Sequence, residues 1–179
     1  MSGADDIDWS TVRFSAIGST RQRWPSEVRD LTPWVLENLD ELGRELGMRL
    51  KPVGREFAVG TFRADIAARD SSGRLVIIEN QFGPSDHSHF GQIVLYALEA
   101  KADVVVWLVA SDVRMFISGG LRPEHRRAVQ QLNDVFAGKI EFYGIEVRLE
   151  SEPRLPGEPD TPVLPRLDAV VRPRQILPE

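Results

Sequence analysis

The stretch TFRADIAARDSSGRLVIIENQF, residues 61–82, decides the fold of this chain. Its first part, FRADIAARD (62–70), sets Phe62, Ala64, Ile66 and Ala68 against Arg63, Asp65, Ala67 and Arg69, the two-residue period of a strand. Ser71-Ser72-Gly73 is a turn, so RLVIIENQF (74–82) returns as the antiparallel partner of a hairpin. Val76-Ile77-Ile78 reads as buried on both faces until Glu79-Asn80-Gln81 interrupts it. Polar groups buried straight after such a run are costly unless each finds a partner.

Residues 79 and 81 of a strand share one face and 80 points to the other. Asp65 ends its own apolar run, with thirteen residues between it and Glu79, and a hairpin centred near Ser72-Gly73 places it opposite residues 79–81. Two carboxylates and an amide then converge on a small volume. Like charges so placed repel, and a divalent cation relieves them. Mg²⁺ prefers oxygen ligands, and a cation so held polarises a phosphoryl oxygen and acidifies water, as phosphodiester hydrolysis needs. Spacing alone leaves a second reading open: a pair of edge carboxylates beside a hydrogen-bonded amide.

Outward from the hairpin, Asp30 to Gly47 reads as a helix, with Thr32 as N-cap, Pro33 in the first helical position and Gly47 at the exit. Trp34, Leu39, Leu42 and Leu46 give it an apolar face, and MRLKPVGREFAVG (48–60) gives a broken strand. A second helix is expected from about Asp86 to Lys101, capped by Ser85 or Asp86. VVVWLVA (104–110) is a strand, RPEHRRAVQQLNDVF (122–136) an amphipathic helix and IEFYGIEVRLE (140–150) a last strand. The expectation is an α/β fold: a mixed central sheet flanked by helices. Residues 1–29 read as an irregular or strand-like arm and 30–150 as the domain. Residues 151–179, with seven of the twelve prolines, read as an extended tail.

At 179 residues the chain suits one domain, and 42% hydrophobic with 27% charged residues is ordinary for a globular protein. The absence of cysteine excludes disulfides, Cys-based zinc sites and thiol nucleophiles. MSGADDIDWS is too acidic for a signal peptide and VVVWLVA too short to span a bilayer, so no membrane association and a cytoplasmic location are expected. A net charge of −5 argues against bulk electrostatic capture of nucleic acid, but not against local basic contacts. Arg55, Arg63, Arg69 and Arg74 around the strands, and Arg122, Arg126 and Arg127 on a later helix, are contact candidates or solvated surface.

Asp65, thirteen residues, then Glu79-Asn80-Gln81, lying between two helices, resembles the PD-(D/E)XK nuclease superfamily. The resemblance implies a restriction-endonuclease-like αβββαβ core and a Mg²⁺ site, with Mn²⁺ as substitute. Asp65 and Glu79 would be its acids, and Gln81 would stand where the family usually has lysine and orient the nucleophile. Glu37, in TPWVLEN, resembles the upstream glutamate that many members add to the metal site, with Glu41 as the substitute candidate. Gln92 and Tyr96, four apart in GQIVLYA and so on one face, resemble the QxxxY signature of RecB-type nuclease domains. A group of bacterial PD-(D/E)XK-like proteins is also similar in its IENQ, DHxHxGQ and EHRxAxxxLN segments, and the resemblance covers about residues 22–150.

His87 and His89 have an HxH spacing, but two residues at a helix start diverge by about 200° and a zinc site needs more ligands. They read as phosphate contacts, proton donors or helix-end packing. Trp24, Trp34 and Trp107 are aromatic enough to stack on bases, though Trp107 sits inside an apolar strand and Trp34 on a helix face, as core residues do.

The function expected is a Mg²⁺-dependent nuclease acting on DNA, with a homodimer compatible because cutting two strands needs two sites. The alternative is a catalytically weak or inactive relative that binds nucleic acid or a protein partner. A domain forming one half of an assembly is a third.

Overall fold

The computed structural model describes residues 19–111, 120–150 and 162–174. A short helix α1 (Thr20–Arg23) and a π-helical turn (Glu27–Leu31) lead into α2 (Thr32–Glu37) and α3 (Leu39–Leu46). Strands β1 (Leu50–Val59), β2 (Phe62–Asp70) and β3 (Leu75–Phe82) follow, then α4 (His87–Glu99), β4 (Val104–Ala110), α5 (Pro123–Val135), β5 (Glu141–Glu150) and β6 (Leu164–Val171). The αβββαβ order expected from the sequence is present. The six strands form one sheet in chain order, antiparallel through β1–β2–β3, parallel through β3–β4–β5, and antiparallel again at β5–β6.

Parallel strands are covered on both faces, so β3 and β4 are buried at every position and read as unbroken apolar runs. On one face, Leu31, Val35, Leu39, Leu42 and Leu46 recur at helical spacing and pack on Ile66, Val76, Ile78, Val106 and Leu108. On the other, Ile93, Tyr96 and Ala97 of α4 and Val129 of α5 close over Ala67, Ile77, Val105 and Trp107. Gly47 ends α3 in the left-handed conformation (φ 72°) that glycine adopts without steric cost.

Three sequence expectations change. The first helical region begins earlier, because Ser26 is the cap: its hydroxyl accepts from the Arg29 amide, and Leu31 N–H reaches back five residues to Ser26 O. Thr32 is therefore inside the helical path, its hydroxyl accepting from Asn80 Nδ2 at 3.1 Å. Asn38 divides the single expected helix into α2 and α3. The proline-rich tail supplies β6 at the sheet edge, the place in a sheet where a proline such as Pro165 is tolerated, because alternate N–H groups of an edge strand face away from its neighbour. Residues 1–18 of the expected arm, and residues 151–161 and 175–179 of the tail, lie outside the described residues. No described helix is long and apolar enough to cross a membrane.

Candidate active site

The β2–β3 ladder runs from Arg69↔Leu75 to Ile66↔Ile78, and there the backbone pairing stops. Beyond it the Asp65 carboxylate takes the place of a carbonyl, accepting from the Asn80 amide at 2.7 Å. The side-chain alternation of β2 slips at this point: Ala64 and Ala67 belong to one core, Ile66 and Ala68 to the other. In the neighbouring strand the pairing passes from Arg55↔Ile66 to Phe57↔Ala64, which sets Glu56 across from Asp65. Glu56 has φ 50°, a conformation that costs a side-chain-bearing residue ~1–3 kcal/mol. The strands thus part around Asp65.

Glu79 follows Ile78 on the buried strand and is only 5% exposed. Its Oε2 has no hydrogen-bond partner among the described residues. Burial, then repulsion from Asp65, then the charges of Glu27 and Glu56, push its carboxyl up to about 9, against a lowering bond from the Asp65 amide. Asp65 is pushed up to about 6, first by burial and then by Glu27 and Glu56; the Asn80 amide and the charge of His89 pull the other way. Four acids therefore act on one volume. Glu27 arrives from the π-helical turn, where its Oε2 accepts the Phe82 amide at 2.8 Å and pins the end of β3.

Helix α4 closes the site. Tyr96 is buried, donates to Arg63 O at 2.9 Å and is hydrogen-bonded to Gln92. Burial, then the Glu79 and Asp65 charges, push its phenol up to about 12, so the ring lies within electrostatic reach of both carboxylates. Gln92 Oε1 is buried and has no hydrogen-bond partner among the described residues. The two residues four apart on α4 therefore stand together at the site, as their spacing requires.

Gln81 shares the face of Glu79, but its amide is engaged throughout. Its Nε2 donates to Asp86 Oδ2 at 2.7 Å and to Pro84 O at 3.0 Å, and its Oε1 accepts from Trp107 Nε1 at 3.0 Å. No N–H of Gln81 is left to orient a water. Trp107 is core, as expected, and also fixes this amide from the adjacent parallel strand.

The two histidines of the HxH pair go different ways. His89 Nδ1 lies 3.1 Å from each carboxylate oxygen of Asp86, the α4 N-cap that also accepts the His89 amide. His87 turns toward α5, its Nδ1 2.9 Å from His125 Nε2, while His125 Nδ1 lies 2.6 Å from the buried Ser85 hydroxyl. His125 is therefore an interior link between α4 and α5. Burial and His87 hold its pKa below the usual imidazole value.

The structure does not bring Glu37 to the pair. Val35 points into the core, and Glu37, about 200° further round the helix, is exposed. Among the described residues no three His, Cys, Asp or Glu side chains gather closely enough to hold a metal ion, so the trio of Glu37, Asp65 and Glu79 does not form. The acids that do approach, Glu27 and Glu56, escaped the sequence reading. Ser26 followed by Glu27 and Asp30 was the one available signal, a capping residue with acids in the first turn. Glu56 carries no such mark, since its position depends on an irregularity between two strands.

Of the arginines considered, Arg74 is tied to Asp70 and Glu141, and Arg126 to Glu146. A cavity of about 870 Å³ lined by Leu46, Asn133, Tyr143 and Arg172 opens beside Glu141, at the start of β5. Glu79 and Gln81 lie toward the other end of the parallel strands, so this cavity is not the site of the carboxylates.

The Asp65–Glu79 pair can supply two oxygen ligands. Mg²⁺ commonly takes one or two carboxylates and completes its shell with water and substrate phosphate, so this donor set fits such an ion, and the unpartnered Glu79 Oε2 fits it too.

No family model and no curated protein matches the chain. Among solved structures, it is similar to a repair endonuclease from Pyrococcus abyssi, with 17% identity, 65% of this chain and 45% of that one covered, and a TM-score of 0.43. It is similar to EndoMS in a complex with double-stranded DNA at 21% identity, covering 69% of this chain and 45% of that one, with a TM-score of 0.42. SfsA of Pyrococcus furiosus with Ca²⁺ is similar at 20% identity over 72% of this chain and 62% of that one, with a TM-score of 0.36. The chain thus spans less than two thirds of the length of each.

Proposed function

We propose that this protein hydrolyses phosphodiester bonds in DNA with the help of Mg²⁺, for which Mn²⁺ substitutes. One observation carries the reading: Glu79 is buried beside Asp65 with a carboxylate oxygen that no described residue satisfies. Two acids placed so are poorly accommodated as anions without a cation, and removing that penalty is what a divalent ion does. Asp65 and Glu79 would hold the ion, and Glu27 and Glu56 add negative charge around it. A bound ion supplies positive charge that polarises a phosphoryl oxygen and acidifies water. Tyr96 and Gln92 border the acids from α4, where the free Gln92 oxygen is placed to accept from substrate or water.

Titration calorimetry with Mn²⁺, beside cleavage of supercoiled plasmid and single-stranded DNA, tests this. Binding and cleavage are expected in the wild type, with both lost in Asp65→Ala and Glu79→Ala; cleavage unaffected by either change sinks the assignment. A second reading, a non-cleaving domain that binds nucleic acid or a protein partner, is favoured by the engaged amide of Gln81, which leaves the motif position without a group for the attacking water. It predicts no Mn²⁺ binding.

A further inference from the structure

Where the motif has lysine, this chain has Gln81, and the Gln81 amide points away into a network of its own. Trp107 Nε1 donates to Gln81 Oε1, Gln81 Nε2 donates to Asp86 Oδ2, and the Asp86 carboxylate faces His89 Nδ1 at 3.1 Å. Each link is fixed by its neighbours. Trp107 is wholly buried, Gln81 is 2% exposed, and Asp86 also caps α4 through the His89 amide.

An ionised carboxylate only accepts, so Asp86 selects the tautomer of His89 that carries hydrogen on Nδ1. Hydrogen bonds from the His89 amide and ring outweigh burial and hold Asp86 below the usual carboxylate range, in its accepting form. The neutral ring then presents a lone pair on Nε2, which no described residue bonds. His89 also lies within electrostatic reach of Asp65, whose carboxylate is stabilised once the ring has taken up a proton.

We infer that His89 is the proton acceptor of this site, and that Gln81 and Asp86 are positioning residues that aim it. The inference rests on the nuclease reading above. In the step assigned to it, a water oxygen bonds to phosphorus and the water proton passes to His89 Nε2. The bond from phosphorus to the leaving sugar oxygen breaks, and that oxygen takes a proton from solvent. An orienting carboxylate behind an imidazole base is a recurring solution to the same problem on unrelated folds. His87 turns instead to His125 of α5, in the string that ends on Ser85, and has no carboxylate behind its ring.

The test uses the full chain, supercoiled plasmid and Mn²⁺. A pH profile is a poor discriminator, since Asp65 and Glu79 must also lose protons and Asp86 faces the same ring; turnover and chemical rescue are read instead. His89→Ala should lower kcat by about 100-fold with KM within about twofold, the range for a lost general base. Added free imidazole should restore part of the loss, which a structural role would not allow. Asp86→Asn should lower kcat by about tenfold and shift the His89 ring, read by ¹⁵N NMR, from hydrogen on Nδ1 toward hydrogen on Nε2.

Turnover of His89→Ala within about threefold of wild type, or no response to imidazole, overturns the role of His89; if Asp65→Asn is inactive in the same assay, the nuclease reading survives. A wild type without cleavage removes both. Should His89→Ala not fold, Asp86→Asn decides: an unchanged tautomer and unchanged turnover overturn the inference.

Discussion

Replacing Glu79 by glutamine should make the cation-free protein more stable at alkaline pH while removing its capacity for a metal. Burial and Asp65 raise the folded-state pKa of Glu79 from 4.5 to about 9, so the folded chain holds a proton that the unfolded chain releases near 4.5. Stability from this group is fully present below the unfolded value and is lost as pH rises toward the folded one. Between the two values the slope is fixed by one proton, ~1.4 kcal/mol per pH unit, whatever the upper end. Asp65, raised to about 6, has largely titrated by about pH 6.5, so from there to about pH 8.5 Glu79 alone of the pair accounts for ~2.7 kcal/mol.

The assay is urea unfolding with EDTA at several pH values in that window, for wild type and Glu79→Gln. The difference between the two chains cancels the histidines and the α-amino group. Wild type should lose ~2–3 kcal/mol relative to the variant across the window, and Mn²⁺ at about a hundred times its Kd should return ~2.7 kcal/mol to the wild type alone. Parallel pH dependences for the two chains would refute the reasoning, because they would mean that Glu79 ionises as readily folded as unfolded.

Three further outcomes follow from the geometry. Glu37→Ala should keep Mn²⁺ affinity within about twofold by calorimetry, whereas Glu27→Gln should change it, since Glu27 and not Glu37 approaches the acids. Gln81→Leu leaves the Trp107 indole N–H buried and unpaired, and should cost ~1–3 kcal/mol in urea unfolding. Gly120→Ala should cost ~1–3 kcal/mol: its new Cβ would fall 2.2 Å from Glu146 Oε1, and that carboxylate is held by Arg126, Arg148 and the Leu121 amide.

The sequence by itself determined the hairpin, helices α4 and α5 and the facing of Asp65 toward Glu79, because periodicity, turn residues and strand pairing are local rules that a short window contains. The same locality put Gln92 and Tyr96 on one face of α4. It could not determine the edge strand β6, whose proline-rich composition reads as a tail until β5 offers an open edge to pair with. Nor could it choose among the acids. Glu37 has the better motif position, yet the burial of Val35 turns it to solvent, while a π-helical turn delivers Glu27 and a strand irregularity delivers Glu56. Gln81 shows the division most clearly. Its place beside Glu79 follows from the two-residue period, but its engagement by Trp107 and Asp86 depends on a parallel strand and a helix cap supplied by other parts of the chain. Only packing brings those groups together, and with them His89.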